Sequence, residues 1–420
     1  MYFSNKENHL LFIYNIGIYL VSFGLKCIAP FNLKIKQGVK GRNNTFAILK
    51  KNISTQDKTL WFHCASLGEY EQGLPVFKAL KTLYSSHKIV LTFFSPSGYE
   101  IRKEKSIANV VVYLPLDTIQ NANRFLDLVH PELTIFVKYE IWPNFLNALK
   151  KRNSRALLIS ALFKNNQLFF KFYGTPMRQA LFAFEHIFTQ NESSKILLNT
   201  IQYNHVTVSG DTRFDRVYSQ LDQDNTLAFI EEFKGAKLCV VAGSTWPEDE
   251  ALLSDYINSH SSKDLKFIIA PHNIKESQIE KLQNSLRVKS VLYSNKDGKS
   301  LSDFQVLIID TIGLLSKTYN YANIAYIGGA MGTKGLHNTL EAAVFGIPII
   351  IGKNHSGFPE AEAMINNHGM FSIATQNELR QTLNHLIENQ TARANSGNRN
   401  LEYIQKNKGA VVQIINFIRK

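Results

Sequence analysis

Cysteine is scarce. The 420 residues hold three, Cys27, Cys64 and Cys239, an odd number, widely spaced and beside no histidine cluster, which argues against a disulfide framework and against structural zinc. A reducing, cytosolic environment fits. No zinc-finger spacing, RNP-like aromatic strand or other nucleic-acid module is visible, so the formal charge of +13 does not select nucleic acid as a partner. The field of that charge attracts anions, and membrane surfaces and phosphates become the favoured partners. No repeat at a short fixed period appears, which leaves a solenoid unsupported. No metal-ligating group is evident, and neither a metal nor a cofactor is expected.

Acid is missing from one long stretch. Between Glu7 and Asp57 there is no Asp or Glu, while Lys26, Lys34, Lys36, Lys40, Arg42, Lys50 and Lys51 all fall there. Leu10 to Leu25 is largely apolar, and apolar residues resume beyond Lys26 as far as Phe31. As a helix, Leu10 to Leu25 reaches about 24 Å, short of the ~30 Å hydrocarbon core, whereas continuation through a snorkelling Lys26 spans it. Spanning and shallow insertion both fit. The stretch is nearly uniform rather than one-faced, which favours a membrane anchor over a buried first helix. A cleaved signal peptide ranks lower, because no convincing small-x-small site follows. The flanking cations place the next domain on the cytosolic side and would hold anionic headgroups.

What is present is a folded composition, 45% hydrophobic and 19% charged, long enough for two domains. From Leu60 onward, short β-branched or aromatic runs alternate with helix-length stretches. Trp61–Ala65, Ile89–Phe94, Val110–Tyr113, Leu133–Val137, Ala156–Ile159, His186–Thr189 and Val206–Ser209 read as strands. After a more polar interval, Arg216–Gly235, the alternation restarts at Leu238–Ala242, Phe267–Ala270, Val306–Ile309, Ile324–Ile327 and Ile349–Ile351. Gln376–Lys420 reads as helices. Strands apolar on both faces and separated by helices predict two α/β, doubly wound parallel sheets. Ligands of such sheets bind beyond the carboxyl ends of the strands.

The motifs fall there. Ser66-Leu67-Gly68-Glu69 follows the first strand and puts Glu69 in a first helical turn, where its carboxylate either accepts a proton from a hydroxyl or complements the helix dipole. Gly68 allows a tight turn and close approach. Ser95-Pro96-Ser97-Gly98 offers hydroxyls and amides to a ligand, or a helix cap. Lys138-Tyr139-Glu140-Ile141-Trp142-Pro143-Asn144 gathers a cation, a carboxylate and an aromatic at a helix entrance; packing accounts for Trp142 but not for Lys138 and Glu140. In the second half, Ala242-Gly243-Ser244-Thr245-Trp246-Pro247 leads into Glu248-Asp249-Glu250, the start of a helix whose free amides can bind phosphate. Gly328 to Gly335, with Lys334, forms a glycine-rich turn of neither P-loop nor dinucleotide spacing. Asn338 and Glu341 follow, suited to capping or to a ribose diol.

Taken together, these segments resemble the 3-deoxy-D-manno-octulosonic acid (Kdo) transferases of lipopolysaccharide synthesis, inverting glycosyltransferases of GT-B architecture. The resemblance runs over nearly the whole chain and also takes in Gly210-Asp211-Thr212-Arg213-Phe214-Asp215 and Asp310-Thr311-Ile312-Gly313. It implies two Rossmann-like domains facing a cleft, with residues 1–31 as an anchor, 32–215 binding acceptor, 216–235 as linker and 236–420, including the C-terminal helices, binding the nucleotide sugar. It further implies an inner-membrane enzyme that transfers Kdo from CMP-Kdo to a lipid A precursor of the lipid IVA type, with Glu69 as general base. Ser66, Gly68, Ser97, Lys138 and Glu140 would support the acceptor side. Ser244, Thr245, His272, Lys334, Asn338 and Glu341, with the loop Thr311, Ile312 and Gly313, would hold CMP. Lys138 and the single histidine of Pro271-His272-Asn273 depart from the family pattern. The competing readings are another membrane-associated GT-B enzyme using a UDP-sugar and an inactive membrane-associated binding protein.

Overall fold

The computed structural model describes residues 5–259 and 264–420, with side chains from Leu10 onward; the first four residues of the expected 1–31 segment and residues 260–263 lie outside the described residues. A helix covers Asn5–Ile28, a single 3₁₀ turn covers Ala29–Phe31, and a second helix runs Leu33–Asn52. The chain then divides into two compact units. The first runs to Arg216 and takes in Lys408–Lys420; the second is Val217–Asn407.

In the first unit the strands are β1 (Thr59–Cys64), β2 (Lys88–Phe93), β3 (Val110–Tyr113), β4 (Leu133–Val137), β5 (Arg155–Ala161), β6 (His186–Thr189) and β7 (Val206–Val208). They form one parallel sheet in the order β3-β2-β1-β4-β5-β6-β7. Period-2 alternation explains why both faces are buried. Trp61 packs with Phe125, Phe136 and Phe145 on one side, and Phe62 with Phe77 and Phe93 on the other.

The second unit holds β8 (Leu238–Thr245), β9 (Leu265–Pro271), β10 (Ser290–Leu292), β11 (Val306–Ile308), β12 (Ile324–Ile327), β13 (Ile349–Gly352) and β14 (Met370–Ile373). Its parallel order is β10-β11-β9-β8-β12-β13-β14. Strand order reverses beside β1 in the first sheet and beside β8 in the second, so the β1/β4 and β8/β12 gaps are the crevices where such sheets take ligands.

Two expectations change. The interval 216–235 is not a bare linker: the helix Ala228–Lys234 buries Ile230 and Phe233, and its Glu232 accepts a hydrogen bond from the Leu301 amide. The helix Ala410–Arg419 leaves the C-terminal domain and docks Ile414, Ile415 and Ile418 against Leu60, Phe62, Val76 and Phe77 of the first unit. An apolar stripe announces that a helix packs, but not against which core.

Candidate active site

At the β1/β4 crevice of the first unit, β1 leads through Ala65 and the N-cap Ser66 into the helix Leu67–Leu83. Glu69, in its first turn, is 6% exposed, and its carboxylate turns back to accept the Ala65 amide. Burial, then the charge of Glu140, pushes its pKa up to about 7, against the pull of the Ala65 amide and Lys138. Burial thus outweighs the amide hydrogen bonds and the cation that favour the charged form. Gly68 lies within the helix, and a Cβ there would meet only the Ser66 hydroxyl at 4.0 Å. A tight turn is not what requires this glycine; the space above it is free for a ligand.

Across the crevice, β4 exits into Lys138, whose left-handed backbone (φ 65°) is held by its amide donating to Ile159 O at 2.9 Å. This turn projects Lys138, Tyr139 and Glu140 beside Glu69: Lys138 pulls the Glu69 pKa down, and both carboxylates, after burial, raise that of the half-exposed Tyr139. Glu140 accepts from Trp142 Nε1 at 3.1 Å. The same indole donates to His63 Nε2 at 3.1 Å, and His63 Nδ1 lies 2.8 Å from the Thr92 hydroxyl. His63 was not singled out in the sequence, although a fully buried histidine in the otherwise apolar β1 is a legible signal. Ser97 does not join the group. Its hydroxyl bonds Ser95 at 2.6 Å and its amide donates to the Ser95 hydroxyl, so this motif caps the short helix Pro96–Arg102. Gly210–Asp215 is also structural: Asp211 accepts from Gln72 and Arg213, and Asp215 accepts the amides of Gly409 and Ala410.

In the second unit, the register of β8 breaks between Gly243 and Thr245, and Ser244 sits at φ 53°. Gly328, after β12, must be glycine, because a Cβ would lie 2.4 Å from Ser244 O and 2.7 Å from Thr245 Cα. Asp249 locks the two loops together, accepting from the Trp246 amide (2.9 Å), the Gly329 amide (2.9 Å) and the Tyr326 hydroxyl (2.8 Å). The sequence marked Asp249 only as one of the acids that open a helix. Thr245 is buried and donates to Glu250 at 3.0 Å, so its hydroxyl is already engaged; burial pushes Glu250 to about 7. Ser244 keeps its hydroxyl without a protein partner among the described residues.

Three rings converge here. His272 follows β9, its amide donating to Thr245 O at 2.9 Å, and stacks on Trp246 (centroids 4.7 Å) and His337 (4.5 Å). Lys334 Nζ stands 5.6 Å from the Trp246 ring. Glu341 accepts from Asn338 at 3.0 Å and from Ser316 at 2.8 Å. Ser316 belongs to the short helix Leu315–Thr318, which follows Thr311, the 85% exposed Ile312 and Gly313 (φ 98°). The structure therefore joins Ser244, His272, Lys334, Asn338 and Glu341 around the β8/β12 crevice, with the Thr311–Gly313 loop tethered through Ser316. The whole arrangement offers amides, a cation and the Ser244 hydroxyl to an anion, and a carboxylate to a diol.

Residues 40–216 match the family model described as 3-deoxy-D-manno-octulosonic-acid transferase (kdotransferase). The chain is 26% identical over 384 residues to the 3-deoxy-D-manno-octulosonic acid transferase of Haemophilus influenzae, covering 86% of each chain. It is 28% identical over 347 residues to that of Aquifex aeolicus, covering 80% of this chain and 88% of the relative. Among solved structures, UDP-GlcNAc 2-epimerase from Neisseria meningitidis bound to UDP-GlcNAc superposes with a TM-score of 0.63 at 15% identity, covering 86% of this chain and all (100%) of the other, a likeness of fold alone.

Proposed function

The chain belongs to the Kdo transferase family, with the two-sheet fold of GT-B glycosyltransferases, and from this premise we propose that it transfers Kdo from CMP-Kdo to a lipid A precursor of the lipid IVA type. The observation that carries the reading is Glu69: a buried carboxylate at the first unit's switch point, held by a backbone amide and poised at about 7. A base with that pKa is half ionised at neutral pH and strong enough to take a hydroxyl proton in the transition state. In the reaction, the acceptor oxygen gives its proton to Glu69 and bonds to the anomeric carbon. CMP departs with the electron pair of the broken bond, and the configuration inverts. Ser244, Lys334 and the amides opening the helix Pro247–Ser259 are assigned to the donor phosphate, and Asn338 with Glu341 to the ribose. Lys138 and Glu140 are assigned to the acceptor wall.

We assign the N-terminal helix to the cytosolic face of the inner membrane, lying in the interface. Phe12, Ile13, Leu20 and Phe23 are exposed, whereas Tyr14 donates to Asp117 at 2.7 Å and Asn15 accepts from Asn144 at 2.8 Å. Further along, Tyr19, Leu25 and Lys26 border a 470 Å³ cavity with Arg42 and Phe46. A helix tied to the first unit through Tyr14 and Asn15 presents its apolar flank to lipid while lying along the interface, the placement assigned to it in this reading.

Mass spectrometry of a lipid A precursor incubated with CMP-Kdo tests the assignment. One or more Kdo masses should be added by the wild type, and Glu69→Gln should lower turnover 10²- to 10⁴-fold. An unchanged acceptor with folded protein, or transfer from a UDP-sugar instead, would overturn it.

A further inference from the structure

Trp246 and His337 were left unassigned by the reaction above, yet their geometry is specific. The indole Nε1–H can only donate, and it points to His337 Nε2 at 2.9 Å. The two rings are nearly parallel, 12° apart with centroids at 6.3 Å, and His272 stacks on both at 4.7 and 4.5 Å. Nε2 is therefore the acceptor, and a neutral His337 carries its proton on Nδ1. Free histidine prefers the opposite tautomer, so the indole selects the form. Gly329 closes the ring's Cδ2 flank, a Cβ there falling 3.0 Å from that atom. Among the described residues, Nδ1 meets no hydrogen-bond acceptor.

We propose that Trp246 and His337 form one donor-binding device, in which Trp246 fixes the tautomer of His337 so that Nδ1–H is offered to an anionic oxygen of the nucleotide donor. The inference rests on the reading of the second unit as the CMP-binding unit. His337 is the contacting residue; Trp246 is a positioning residue acting through it. Burial, then the neighbouring His272, pushes the His337 pKa down to about 4, which keeps the ring neutral at cytosolic pH. A neutral N–H is then present without proton uptake when ligand arrives, on the same stack of rings over which Lys334 stands 5.6 Å from Trp246.

The test uses the full chain with ¹⁵N-labelled histidine, long-range ¹H–¹⁵N correlation and calorimetric titration of CMP. Wild type should show His337 protonated on Nδ1. His337→Leu should weaken CMP binding roughly 10- to 100-fold, the range for a hydrogen bond to a charged group. His337→Asn, whose amide N–H reaches the Nδ1 position, should stay within several-fold of wild type. Trp246→Phe keeps an aromatic ring against His272 while removing the N–H and part of the indole; it should abolish the pure Nδ1–H signature and weaken CMP several-fold. The device is overturned if His337→Asn binds as poorly as His337→Leu, or if Trp246→Phe leaves both spectrum and affinity unchanged. If the wild type binds UDP and not CMP, the donor assignment fails separately, and the same variants titrated with UDP decide the device.

Discussion

Glu69 is held between opposing forces, and each gives a measurable consequence. As a base it must be ionised, so kcat/KM should rise with pH through about 7 and level off above it. Glu140 raises that value by repulsion, so Glu140→Gln should move the acid limb to lower pH in a pH–rate profile. The same shift acts on stability. The folded state binds the Glu69 proton more tightly than the unfolded state, whose value is near the ordinary 4.5; stability is therefore lost as pH rises from there through about 7. At ~1.36 kcal/mol per unit, the cost at pH 8 is up to about 3 kcal/mol. Glu69→Gln should accordingly unfold at higher temperature than wild type at pH 8 and at a similar temperature at pH 5, as calorimetry can show, while losing activity at both. At this scale the sequence placed Glu69, Glu140, Ser244, Asn338 and Glu341 where their backbones are found, because strand ends are readable. Which hydroxyls are already engaged was not readable. Thr245 and Ser97 look like free ligands in a motif, and their bonds to Glu250 and Ser95 depend on turn geometry.

Among elements, the helix Ala410–Arg419 has the clearest testable attachment. Its opening amides are accepted by Asp215 rather than by a side chain of its own N-cap, Gly409. Asp215→Ala should cost ~1 kcal/mol, the usual worth of a lost cap, and urea titration should show it as a lower midpoint for the first unit. All strands of the first sheet were legible from their apolar runs, whereas β10 and β14 of the second were not. Both are sheet edges: Ser290–Leu292 has three residues, and Met370–Ile373 leaves Ser372 exposed. Short or half-solvated strands carry too little pattern to separate from loop.

For the whole molecule, the interfacial placement proposed above makes the apolar flank of the N-terminal helix and the charge of +13 act on one surface, an anionic bilayer. Replacing Phe12 and Phe23 by Asp should release the protein from vesicles containing anionic lipid in co-sedimentation. Raised salt should weaken the wild type's attachment only in part, because burial of apolar side chains is not screened. The candidate span Leu10–Phe31 was legible as an apolar run; its ties through Tyr14 and Asn15 were not, since their partners, Asp117 and Asn144, lie about a hundred residues on.

The return of Lys408–Lys420 to the first unit makes the second unit an insertion in the first. During synthesis, Val217–Asn407 emerges as one continuous, compact stretch, with a core of its own, while the first sheet still lacks Ile414, Ile415 and Ile418. The older half of the nascent chain is thus the last to be completed. The core that Leu60, Phe62, Val76 and Phe77 begin is thus closed only by side chains made after the whole second unit.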